Sequence, residues 1–256
     1  MAEGTLSLEY ADLRKSIGHF LGYKRDSTAW SQEQIDDIEE VLQAGLRQFY
    51  YPPEPFQHEW TFLRPVTTLA TIANTWEYNA PDSFGQVDGD FTYAPNTAAP
   101  KTINVIGESQ IRQLRQASDV KGFPQYVAVR PKTSDLTDGQ RFQFIFWPTP
   151  NAVWTLTYRY LATNNKITST NKYPLGGQLH SATIEQSCRA VAELRMNNKR
   201  GTEWEQFQAM LAGSVKRDQA AIGAEFLGYN GDSSDSQHRC CLPDIRKCTV
   251  KGVMPT

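Results

Sequence analysis

"RFQFIFWPTPNAVWTLTYRYLA", Arg141–Ala162, packs seven aromatic residues around one proline-containing turn. Phe142, Phe144 and Phe146 alternate along its first half, and Trp154, Leu156, Tyr158 and Tyr160 along its second. Period-two alternation of large apolar side chains marks a strand with one buried face. The stretch therefore predicts a hairpin, its turn stiffened by Pro148 and Pro150. Its aromatic rows suit a core better than a sugar-stacking platform, so the hairpin is expected to be the central ribbon of a β-rich scaffold.

The same period extends upstream. From about residue 58, "HEWTFLRPVTTLATIANTWEYNAP", "KTINVIG" and "YVAVRPK" carry strand chemistry, with "ESQIRQLRQAS" as a short helix among them. In "QVDGDFTYAP", Asp88-Gly89 predicts a tight turn between strand-like flanks. Roughly six short strands fall between 58 and 165, enough for a small antiparallel sandwich or barrel-like unit.

Helical spacing takes over on both sides. Leu8, Ala11, Leu13, Ile17, Phe20 and Leu21 predict a first helix that also carries His19, with Gly22 as its stop. In "SQEQIDDIEEVLQAGLRQFYYPP", Ser31 and Gln34 form a capping box, and Ile35, Ile38, Leu42, Leu46 and Phe49 follow as one face. Pro52 and Pro53 end that helix. Past the glycine-rich "KYPLGGQLH", two further helices are expected around the turn "NNKRG". The second opens on a Thr202/Glu205 box and presents Trp204, Phe207, Leu211 and Val215, widened by Met210.

Two isolated helical pairs bury too little apolar surface to stand alone. The expected fold is α+β: a helical bundle built from N- and C-terminal helices, with an inserted antiparallel β-sandwich-like unit and an extended C-terminal arm. The expected divisions are 1–57, 58–165, 166–228 and 229–256.

Composition narrows the function. The chain has 256 residues, 39% hydrophobic and 21% charged, with formal net charge −2. There is no bulk basic signature for gripping nucleic acid. The N-terminus lacks a signal-peptide pattern, and no run approaches the ~18 apolar residues of a membrane span, so no membrane partner is expected. Cys188 stands apart from Cys240, Cys241 and Cys248, which is no secreted disulfide framework and points to synthesis in a reducing cytoplasm.

No catalytic constellation emerges. His19, His58, His180 and His238 are scattered; His19 is expected to pack, and His180 to mark a helix boundary. Asp82, Asp88 and Asp90 lack the spacing and closing glutamate of a calcium loop. His238 with Cys240, Cys241 and Cys248 lacks a zinc knuckle. Gly176 and Gly177 lack the ending of a phosphate loop and suit a flexible hand-over into a helix. Cys188 reads as a small core residue. The expectation is no catalytic residue, no cofactor and no metal.

The ensemble "IEEVLQAGLRQFYYP", "HEWTFLRPVTTLAT", "APDSFGQVDGDFTY", "QRFQFIFWPTPNAVWTLTYRYLA" and "YPLGGQLHSATIEQSCRAVAELR" resembles the head-to-tail adaptor (connector) proteins of tailed bacteriophages over about residues 5 to 225. The resemblance implies a non-enzymatic virion protein at the head-tail junction, made in the host bacterial cytoplasm. It implies a homo-oligomeric, dodecameric ring between the portal protein and the tail, nozzle or tail tube protein, with viral DNA crossing the lumen without sequence-specific binding. It also implies that the C-terminal arm docks on the portal, which here assigns Arg239, Leu242, Pro243, Ile245 and Val250. Asp36, Asp37, Glu39 and Glu40 are candidates to line a channel, a solvated helix face being their plainer explanation. The alternatives are a tail component or carbohydrate-binding module, and an enzyme with an unrecognised site.

Overall fold

The computed structural model describes residues 4–97, 102–132 and 139–221. Ser31 opens the best-signalled helix. Its hydroxyl accepts from the Gln34 amide at 3.3 Å while the Gln34 side chain accepts from the Ser31 amide at 3.0 Å. From this capping box α2 runs Gln32–Tyr50. Ile38, Leu42, Leu46 and Phe49 are all buried, as the spacing predicts, and Val41 and Tyr50 widen the buried face.

α2 packs against α1 (Tyr10–Phe20) and α4 (Gln178–Asn197), and α5 (Thr202–Ala221) packs on α4. Leu13 and Ile17 of α1, Ile184 and Cys188 of α4, and Phe207 and Leu211 of α5 join the α2 residues in one apolar cluster. The two ends of the chain thus bury each other's apolar faces, each large side chain contributing about 1.5–3 kcal/mol. Gly22 stops the first helix at φ +79°. His19 is exposed in the last turn of α1, not packed; the helix buries Tyr10, Leu13 and Ile17, with Phe20 and Leu21 packed against the same core.

The start of α5 also differs from expectation. Thr202 is its first helical residue, and the cap comes from the preceding helix: the Glu193 carboxylate accepts from the Gly201 amide at 3.0 Å and from the Trp204 amide at 3.3 Å. An acceptor need only reach the free amides of a helix start, and at a tight turn the neighbouring helix supplies it.

The chain between the helices forms β1 (Val66–Ala70), β2 (Glu77–Asn79), β3 (Phe84–Val87), β4 (Phe91–Tyr93), β5 (Thr102–Val105), α3 (Glu108–Ala117), β6 (Lys121–Gly122), β7 (Tyr126–Lys132), β8 (Arg141–Trp147), β9 (Thr149–Pro150) and β10 (Thr155–Ala162). Eight strands make one curled sheet in the order β1-β10-β4-β5-β7-β8-β2, with β3 also on β10; β6 and β9 pair separately. The fold is α+β, with five α-helices among the described residues.

Two expectations are corrected here. The Arg141–Ala162 stretch is no hairpin: β8 pairs with β7 and β2, while β10 pairs with β1, β3 and β4. The two aromatic rows instead face each other across the sheet's interior, with the Phe144 and Tyr158 rings 5.2 Å apart and Phe91 packed edge-on to Phe144 at 5.4 Å. Second, the sheet is mixed, not antiparallel. β5 and β7 run parallel because α3 makes the crossover between them, as a parallel pair requires. α3 seats Ile111 against Ala128 and Ile145, so β8 is buried on both faces. The turn expected at Asp88-Gly89 is present between β3 and β4, with Gly89 at positive φ (+83°). β3 and β4 lie in line along the same edge of β10, so the turn interrupts one long strand.

Candidate functional site

Two segments carry the chain between helices and sheet. On the outward crossing, Trp60 is fully buried, stacks on Phe49 at 4.6 Å and donates its indole N–H to the Phe49 carbonyl at 3.0 Å. A single 3-10 turn, Thr61–Leu63, follows. Asp218, in the last turn of α5, accepts from the Thr61 amide at 3.0 Å and the Thr61 hydroxyl at 2.5 Å, and lies 2.7 Å from His58 Nε2. Burial opposes charge on Asp218, but the bonds from Thr61 and His58 prevail and hold its carboxyl below the usual range. His180, the third residue of α4, packs against Trp60 at 5.2 Å and Phe62 at 5.4 Å. Its burial lowers its pKa, and its Nδ1 has no hydrogen-bond partner among the described residues. These polar groups, scattered in sequence, meet as a tie between α4, α5 and the start of the sheet.

The return crossing, residues 163–177, is a strap held down by its own carbonyls. The Gln43 side chain donates through Nε2 to the Ile167 carbonyl at 2.8 Å, the Tyr10 backbone amide to the Lys172 carbonyl at 2.7 Å, and the Tyr50 hydroxyl to the Leu175 carbonyl at 3.2 Å. Gly176 (φ +109°) and Gly177 (φ +63°) turn the strap into α4. Their conformation, and not a phosphate cradle, accounts for the glycine pair. Alongside the strap lies a recess of about 500 Å³ whose walls include Tyr50, Ser83, Tyr160, Asn164, Lys166 and Lys172. Sequence reasoning missed it, because the strap has no periodicity.

The four α2 carboxylates do not form one row. Asp36, Asp37 and Glu40 are exposed and Glu39 is half-buried. Each has a local partner: Gln32 to Asp36 at 2.8 Å, the Tyr23 hydroxyl to Asp37 at 3.3 Å, the Tyr10 hydroxyl to Glu39 at 2.6 Å, and Arg195 to Glu40. Burial and the bond to Glu39 push Tyr10 up to about 12.

Asp82, Asp88 and Asp90 do not converge either. Asp82 pairs with Arg141, Asp88 lies 2.7 Å from Arg159 Nε, and Asp90 accepts from the Val105 amide at 3.1 Å. Among the described residues no group of three or more His, Cys, Asp or Glu is placed to hold a metal ion, and no helix is long and apolar enough to cross a membrane. Cys188 is fully buried, which pushes its thiol up to about 12, and it is a core residue as its sequence setting predicts. His238, Cys240, Cys241 and Cys248, and the arm residues Arg239, Leu242, Pro243, Ile245 and Val250, lie outside the described residues.

Helices from both ends of the described chain share one core, a curled sheet is inserted between them, and buried polar groups tie these elements together. The model of the SU10 adaptor protein family matches residues 8–225. The chain belongs to that family, a phage head-to-tail adaptor family. None of the curated proteins matches it. The adaptor family implies a non-enzymatic role at the head-tail junction of a virion, in contact with portal and tail proteins.

Proposed function

We propose that this chain is the repeating subunit of a ring between portal and tail, which completes the DNA channel and offers the tail its attachment site. The observation that carries the reading is the family match across residues 8–225, which spans helices and sheet alike. A dodecameric ring closes through a heterologous interface in which each subunit presents two different faces. Residues 1–57 and 166–228 act as the ring body, 58–165 as an insertion reaching neighbours or tail, and 229–256 as an arm. The arm, with Arg239, Leu242, Pro243, Ile245 and Val250, docks on the portal. Viral DNA crosses the lumen without sequence-specific contact, past Asp36, Asp37, Glu39 and Glu40. A near-neutral chain suits this, since many phosphate contacts would hold the DNA back.

The test is to mix the purified protein with portal rings of the same phage and image the product by negative-stain electron microscopy, beside a version ending at residue 228. A layer added below the portal and lost on truncation supports both ring and arm. A layer that survives truncation moves docking to the body. A folded protein that adds no layer overturns the reading and favours a tail or glycan-binding component.

A further inference from the structure

The recess beside the strap is built to receive negative charge. Lys166 and Lys172 stand in its wall, Ser83 and Tyr160 place hydroxyls there 3.0 Å apart, and among the described residues none that lines it is Asp or Glu. Neither lysine is in an ion pair among the described residues, and both are exposed. The nearest acid in sequence to Ser83, Asp82, is already engaged by Arg141. Lys166 also borders the groove of Asp36, Glu39 and Glu40, so Lys172 is the lysine less compensated by its surroundings.

The wall has a second property. Asn164 lines the recess with its amide nitrogen and oxygen both shielded from solvent and both without a hydrogen-bond partner among the described residues. A side-chain amide offers the donor and acceptor that a peptide group offers, and buried polar groups of this kind are normally satisfied. Tyr173 and Leu175 are each nearly half exposed at the same wall, giving apolar contact beside the charge.

From this we infer that the recess is a docking site for an acidic peptide segment of a partner protein, its carboxylates meeting Lys166 and Lys172 and its backbone meeting Asn164 once that side chain turns into the recess. A nucleic-acid backbone fits less well. Duplex binding draws its strength from a long track of cations along the phosphates, whereas two lysines around one cavity with tyrosine walls make a point of attachment. The inference rests on the adaptor reading only for the source of the partner.

The test uses the full-length protein and a fluorescent hexaglutamate peptide at low salt, followed by anisotropy, with hexaglutamine and a short DNA duplex as controls. Hexaglutamate is expected to bind, hexaglutamine not to, and Lys166→Glu/Lys172→Glu to weaken binding about fivefold or more. The Asn164 side-chain amide signal is expected to shift on peptide addition in a nitrogen-15 spectrum. Absence of hexaglutamate binding, equal binding of hexaglutamine, or equal binding by the variant overturns the proposal. So does a duplex that binds more tightly through the same lysines, which makes the occupant nucleic acid. Thermal melting checks that the variant folds, and the two single alanine variants replace it if it does not. The portal-mixing experiment on the same samples separates the readings: a protein that adds a layer to the portal but ignores hexaglutamate keeps the adaptor function and loses this site.

Discussion

Gly45 of α2 lies directly against Cys188 of α4: a β-carbon on Gly45 would sit 2.6 Å from both the Cα and the Sγ of Cys188. The Ser187 hydroxyl donates to the Gly45 carbonyl at 2.8 Å beside it. Alanine would improve the intrinsic helicity of α2 by up to ~1 kcal/mol. The clash is with backbone, which no rotamer change relieves. Gly45→Ala is expected to cost about 1–2 kcal/mol net, measured as a lower urea midpoint with unchanged slope.

His180 gives stability a pH dependence in the mildly acid range. Burial lowers its folded pKa below the ordinary 6.5, so the unfolded chain takes up the proton first. Its contribution is complete above 6.5 and falls away as pH drops through the folded value. Asp218 is also depressed, but its contribution is lost only below the ordinary carboxylate range, near 3.8. The urea midpoint of the wild type should therefore fall between pH 7 and 5, and His180→Phe, which keeps a ring against Trp60 and Phe62, should flatten that slope. A variant with the wild-type slope would move the dependence to another group.

Glu193 caps a helix to which it does not belong. Glu193→Ala leaves the Gly201 and Trp204 amides without their acceptor and is expected to cost about 1 kcal/mol by chemical denaturation. Thr202→Ala, at the position the sequence marks as the cap, should cost less. The reverse order of losses would contradict the observed cap.

If α2 faces DNA, reversing its exposed charge changes how DNA leaves. Asp36→Lys/Asp37→Lys/Glu40→Lys, which spares the Tyr10–Glu39 bond, is expected to slow DNA ejection from assembled particles in a salt-dependent manner, because added cations hold phosphates. Unchanged ejection kinetics in particles that carry the variant would remove α2 from the channel wall.

Much of this fold is legible residue by residue. The Ser31/Gln34 box, the α2 face from Ile38 to Phe49, and the alternation of Phe144, Phe146, Tyr158 and Tyr160 all predict what is buried. What escapes is partnership. A hairpin and two strands facing each other across a core demand the same alternation, so the rows of β8 and β10 could not say which they were. Burial of Ile145 under α3, and the parallel pairing of β5 with β7, depend on contacts distant in sequence. The recess escapes for a different reason: Asn164, Lys166 and Lys172 sit on an aperiodic strap, where the pattern of a sequence carries no orientation. The carboxylates of α2 were legible as acidic and solvated; their separate local partners were not.

The sheet is joined to the helices by two lengths of chain, each tied down part-way, one by Asp218 at Thr61 and the other by Gln43 and Tyr10 at the strap. A body on a single tether swivels, and pulling on it loads only that tether. A body on two anchored tethers resists torsion and passes a pull into α1, α2 and α5 together. Force arriving at the sheet is thus passed to three helices drawn from opposite ends of the described chain.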